Sequence, residues 1–173
     1  GVDADGAPFQ GPFRSLEGHG RVDGLRGFET EVGVEGRSDM TKEELIDYIS
    51  ARDFAVIATK AEPFPESACI QFGNDGLTLV FDTLRTSRKF QNIMKSPEVS
   101  FVIGWENERT VQYEGIATVL SGDELTRLKE VYFAKSEYAK QWETEDTVYF
   151  KVEPVWIRFS DLNTNPPAIT VFD

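Results

Sequence analysis

The feature that most constrains this chain is a series of short β-branched and aromatic runs separated by turn signals instead of long helices. Runs at Asp53 to Thr59, Ser67 to Phe72, Leu77 to Asp82, Val99 to Gly104, Thr110 to Leu120 and Thr147 to Phe159 have strand composition. Gly73-Asn74-Asp75-Gly76 predicts a hairpin turn between the second and third runs, because Asn, Asp and Gly tolerate positive φ. Gly115 predicts a bulge or a close backbone approach within the fifth run, and Pro154 an edge or a bend within the sixth. Beyond Asn163 the sequence reads as a turn with Pro166-Pro167 and a short apolar tail. Six strands joined mostly by hairpins predict a mostly β domain, an antiparallel barrel with flanking helices, and not a doubly wound parallel sheet.

The helices are few and carry clear end signals. Thr41-Lys42-Glu43-Glu44 is a capping box, followed by an apolar stripe of Leu45, Ile46 and Ile49. Phe90, Ile93 and Met94 recur at helical spacing after the third strand; Thr86 or Ser87 is the natural N-cap, and Pro97 stops the helix near Lys95-Ser96. Ser121-Gly122-Asp123-Glu124 has the form of a second capping box, opening a helix with Leu125, Leu128, Val131 and Tyr132. A short helix is expected from Glu137 to Trp142.

Residues 1–39 differ from the rest. Nine of the 14 glycines fall there among charged residues without apolar periodicity, so they read as an irregular or flexible extension preceding a domain at 40–173. At 173 residues the chain suits one ordinary domain. Its 30 acidic against 18 basic residues give a net charge of -12, which argues against a nucleic-acid surface. No apolar run approaches the roughly 20 residues of a membrane helix, and none resembles a secretory signal. The expectation is a soluble, cytoplasmic protein without membrane or nucleic-acid partners. Cys69 is the sole cysteine and sits in an apolar run, so it reads as a small buried hydrophobe. His19, the sole histidine, lies in the extension; triad catalysis and metal sites built on several thiolates are not expected.

Ser87-Arg88-Lys89 stands where the third strand runs into a helix. A helix start exposes N–H donors and carries partial positive charge, so two cations and a hydroxyl there form a receptor for a phosphate group. The residues alone leave open a solvated surface turn.

Phe81-Asp82-Thr83, three further residues and then Ser87-Arg88-Lys89 resemble the strand-to-helix signature of the pyridoxamine 5′-phosphate oxidase-like proteins, which are FMN-binding split β-barrels. Arg109 to Ala117, with Glu114-Gly115-Ile116-Ala117, is similar to the family's long strand, and Phe54 to Thr59 with its preceding helix is similar to the general stress protein branch. The resemblance spans Met40 to about Asp161. It implies a six-stranded split barrel and a homodimer with FMN at the subunit interface. It also implies that Ser87, Arg88 and Lys89 hold the phosphate and that Asp82 and Thr83 touch the cofactor. Ser67, Ala68, Cys69 and Ile70 would line the ring, with Gln112 reaching the ring or ribityl chain; Cys69 and Ile70 read equally as plain core, and Gln112 as a solvent-facing residue.

The chain departs from authentic pyridoxamine phosphate oxidases near its C-terminus. Phe159-Ser160-Asp161-Leu162-Asn163 replaces the family's Arg-Leu-His-Asp-Arg segment, and Ser160 stands where a tryptophan is usual. The resemblance therefore implies a flavin-dependent oxidoreductase of the general stress type acting on an unidentified small redox substrate, not an enzyme of vitamin B6. The other readings are a flavin-storage or sensory module, or a barrel using the deazaflavin F420. Haem is disfavoured because no histidine follows His19.

Overall fold

The computed structural model describes residues 40–173, so the reading of 1–39, His19 included, lies outside the described residues. Helix α1 (Lys42–Ser50) begins at Thr41 with the expected reciprocal box: Glu44 N donates to Thr41 Oγ1 at 3.2 Å and Thr41 N to Glu44 Oε2 at 2.8 Å. Leu45 and Ile49 are fully buried against the sheet.

Eight strands follow instead of six: β1 (Phe54–Thr59), β2 (Glu66–Gln71), β3 (Gly73–Asp75), β4 (Thr78–Leu84), β5 (Glu98–Ile103), β6 (Arg109–Val119), β7 (Thr147–Asp161) and β8 (Ala168–Phe172). Helix α2 (Arg88–Lys95) joins β4 to β5, and α3 (Gly122–Lys135) with a 3-10 turn at Glu137–Trp142 joins β6 to β7. All strand pairs are antiparallel, in the order β2-β1-β5-β6-β7-β4-β3, with β8 on β7. The two ends of this curled sheet are consecutive in sequence: Phe72 alone separates β2 from β3, and it is buried. Main chain thus bridges the open sides, as a split barrel requires.

The two extra strands have physical causes. Gly73 to Asp75, expected as a turn, pair with Val80 to Thr78, and the tight turn moves to Gly76 at φ +61. β2 and β4 consequently form no hairpin with each other. The expected apolar tail becomes β8, whose residues 168–172 alternate in burial and pair with 161–157 of β7.

The bulge falls at the expected place. Register shifts between Glu114 and Gly115, so that Glu114 faces Trp156 and Gly115 faces Pro154, leaving Val155 as the extra residue. β7 pairs with β4 through 147–152 and with β8 through 157–161, so Pro154 sits where that side of the strand has no partner. The second capping box does not form. Ser121 makes no side-chain cap, because Gly122 adopts φ +59 and interrupts the geometry linking Ser121 to Glu124.

The barrel interior holds Ile57, Phe81, Phe101, Tyr113, Phe150 and Ile157, all nearly inaccessible. Phe81 and Phe150 stack with centroids 5.4 Å apart, while Phe101 meets Tyr113 edge-on. A second apolar layer forms where α3 packs Leu128, Tyr132 and Phe133 on Val80 and Tyr149.

Candidate functional site

The site lies where β4 ends and α2 begins. Ser87 is the N-cap of α2; its Oγ accepts from Phe90 N at 3.1 Å and lies 2.8 Å from Thr83 Oγ1. The N–H groups of Arg88 and Lys89, first in the helix, have no intrahelical acceptor. Arg88, Lys89 and Ser87 face Ser67 and Ala68 of β2 across a cavity of about 210 Å³.

The two cations differ. The Arg88 side chain is 82% exposed, and its Nε lies 3.2 Å from Glu66 Oε1. Lys89 is half-buried and makes no hydrogen bond or ion pair among the described residues. Burial pushes its pKa below the ordinary value, with Asp82 and Cys69 opposing that shift.

The predicted residues separate into groups. Ser67, Ala68, Ser87, Arg88 and Lys89 line the cavity, and Thr83 is buried behind Ser87. Asp82 points to the opposite face of β4, where its Oδ1 accepts from Tyr132 Oη at 2.9 Å, tying α3 to the sheet. Ile70 is turned into the core. Cys69, expected to be buried, is exposed, because β2 alternates and Cys69 shares the outward face with Ser67. Gln112 is also exposed on the outer face, in one cross-strand row with Val102, Val56 and Cys69. Three strand spacings of about 4.8 Å separate it from Cys69, so it does not line the cavity.

Three further residues belong to the site. Glu66 projects into the cavity, and its Oε2 accepts from Asn92 Nδ2 at 2.9 Å. The buried Asn92 amide donates its other hydrogen to Thr59 Oγ1 at 3.1 Å. Asn92 lies four residues after Arg88, hence on the same helix face. Glu66 and Thr59 carry no local signal, since β1 and β2 bring them to α2 only on folding.

These features define a split-barrel protein with a small cavity, bordered by two cationic side chains and a helix start, between β2 and α2. The chain belongs to the pyridoxamine 5′-phosphate oxidase family, whose sequence profile matches residues 41–161. Among solved structures it is similar to a pyridoxamine 5′-phosphate oxidase candidate from Listeria innocua, at 19% identity and TM-score 0.60 over 71% of this chain and 98% of that one. It is also similar to General Stress Protein 26 from Bacillus anthracis, at 26% identity and TM-score 0.59 over 68% of this chain and 92% of that one. A heme binding protein from Mycobacterium smegmatis matches at 18% identity and TM-score 0.66, over 76% of this chain and 57% of that one. No curated protein gives a significant match. Among the described residues, no helix is long and apolar enough to cross a membrane.

Proposed function

We propose that this protein binds FMN and uses it as a soluble, cytoplasmic, homodimeric oxidoreductase of the general stress type. The observation that carries the reading is Lys89: a half-buried ammonium with no hydrogen bond or ion pair among the described residues, beside Arg88, Ser87 and two free helix N–H groups, on a cavity wall. Burying an ammonium that lacks hydrogen-bond acceptors is costly, and a phosphate offers the missing acceptors. The residues present therefore fit a flavin phosphate, with Ser67 and Ala68 facing it from β2. A bound flavin supplies hydride or one-electron chemistry by itself; this chain's part is to hold the phosphate, orient the ring and exclude water.

In this reading Thr83 fixes the Ser87 hydroxyl, Asp82 acts through Lys89 and α3, and Ile70 contributes main chain. Cys69 and Gln112 lie on the outer sheet face, which also exposes Val102, Ile116, Val155 and Val171. Packing that face on a second copy encloses the flavin between subunits and removes apolar surface from water. Oxidation of pyridoxamine phosphate is not proposed, because the chain lacks the Arg-Leu-His-Asp-Arg segment.

Flavin fluorescence quenching on titration tests the site. Arg88→Ala with Lys89→Ala is expected to weaken FMN binding by about 2–5 kcal/mol, two charged hydrogen bonds with partial additivity; equal binding by both proteins would refute the phosphate assignment. Bleaching of bound FMN by NADH or NADPH, followed at the flavin absorbance, supports an oxidoreductase. Bound FMN that neither donor reduces points to storage or sensing instead.

A further inference from the structure

The cavity wall beside Arg88 is a carboxylate, and more than an ion pair holds it there. Thr59 and Glu66 are register partners across β1 and β2, and Thr59 Oγ1 donates to Glu66 O at 3.4 Å. Asn92 Nδ2 donates one hydrogen to Thr59 Oγ1 at 3.1 Å and the other to Glu66 Oε2 at 2.9 Å. Thr59 and Asn92 are both buried. Both hydrogens of a buried amide, a group costly to take out of water, are thus spent around one carboxylate. The Arg88 side chain is exposed and is held, among the described residues, only through its Nε, 3.2 Å from Glu66 Oε1. Glu66 is therefore the anchored member of the pair, and the pair opens when Arg88 turns away.

This arrangement penalises any anion that enters. Glu66 lines the cavity together with Ser87, Arg88 and Lys89. A phosphate placed there meets an anchored negative charge, and to use Arg88 it must replace Glu66 as the acceptor of that guanidinium. The penalty is similar for a free phosphate ion and for a phosphate carried on a larger molecule, because both present the same kind of oxygens. Only the larger molecule has further contacts that offset it. At about 210 Å³ the cavity is small for a whole ligand but has room for a phosphate ion, so size alone does not keep that ion out.

We propose that Glu66 is a specificity-determining residue, an internal counter-charge that keeps free inorganic phosphate out of the cavity, and that Asn92 is the positioning residue that holds it in place. The cavity then admits a phosphate only on a ligand that brings a body of its own. The identity of that ligand rests on the flavin reading above; the exclusion of the free ion does not. Glu62 supplies the contrast. It lies on the groove at the far side of Arg88 and Glu66, and it makes no hydrogen bond or ion pair among the described residues.

Calorimetric titration of the purified full chain with inorganic phosphate at constant ionic strength tests it, together with FMN titrations repeated in the presence of phosphate. The native protein is expected to bind phosphate too weakly for millimolar phosphate to compete with FMN. Glu66→Gln keeps an acceptor for Asn92 and removes the charge. It should bind phosphate about tenfold more tightly, gain FMN affinity by a similar factor, and let phosphate compete. Asn92→Leu frees the carboxylate to turn to solvent and should strengthen phosphate binding in the same direction, by less; a merely structural role for Asn92 would lower the melting temperature and leave phosphate binding unchanged. Glu62→Gln alters net charge equally and should leave phosphate binding within about twofold of native. Native protein that binds phosphate as tightly as Glu66→Gln, or Glu62→Gln that matches Glu66→Gln, overturns the exclusion. Phosphate binding that tightens in Glu66→Gln alone, in a protein that takes up no FMN, upholds the exclusion and overturns the flavin reading instead.

Discussion

Lys89 and Lys135 are both half-buried ammonium groups, yet they do different things. Lys135 Nζ sits 4.0 Å from the centroid of the Phe72 ring and donates to Ile49 O at 3.3 Å and Asn74 Oδ1 at 3.5 Å. Burial pushes its pKa down to about 8, with Asp53 opposing and Arg52 reinforcing the shift. Between pH 8 and 10 the unfolded chain then binds more protons at this position than the folded one, so stability contributed here rises with pH through that window. Urea midpoints measured across it should rise in the native protein and stay flatter in Lys135→Met. Lys89 has no such partners, and in the proposed reading its charge is needed for the flavin phosphate. FMN affinity is therefore expected to fall as pH climbs through its depressed pKa, below the ordinary 10.5 of a free lysine. Ser87, Arg88 and Lys89 were legible in sequence because a cap and two cations are consecutive. Glu66 and Asn92 were not, because their meeting requires β2 and α2 to be in place.

Among the elements, β6 and β7 carry the tightest constraint. A Cβ at Gly115 would stand 2.5 Å from Glu153 O and 2.7 Å from Val152 Cγ1, across the bulge. The carbonyl belongs to a paired strand and cannot retreat, so Gly115→Ala is expected to cost about 1–3 kcal/mol or more in equilibrium denaturation. One residue pair earlier in β6, Tyr113 Oη reaches Val152 O at 2.8 Å and Leu77 O at 3.0 Å through the buried interior. Tyr113→Phe should lose about 1–3 kcal/mol, the cost of leaving buried carbonyls without their donor. The bulge was readable from Gly115 and Pro154, since each residue has few alternatives inside a strand. β3 and β8 were not: Gly73-Asn74-Asp75 has turn chemistry overridden by pairing with β4, and Pro166-Pro167 masks the alternation of 168–172.

For the whole molecule, the proposed dimer rests on the outer face of β5, β6 and β8. Val102, Ile116 and Val171 are each more than a third exposed there, and Val155 is 60% exposed at the bulge. With the proposed dimer, Val102→Glu should shift the protein to monomer in sedimentation velocity while the far-ultraviolet spectrum stays unchanged; an unchanged dimer would place the interface elsewhere. The barrel seam has another consequence. Phe72 is the single residue between the strand that starts the sheet order and the strand that ends it, so the seam is a length of main chain, inextensible and not subject to unzipping. Ser67 and Ala68 stand on one side of that tether, and β4 leading to Ser87 on the other. In the proposed reading the cavity between them works as a calliper of fixed gauge, and what adjusts to the flavin phosphate is the pair of side chains that borders it, Arg88 and Glu66.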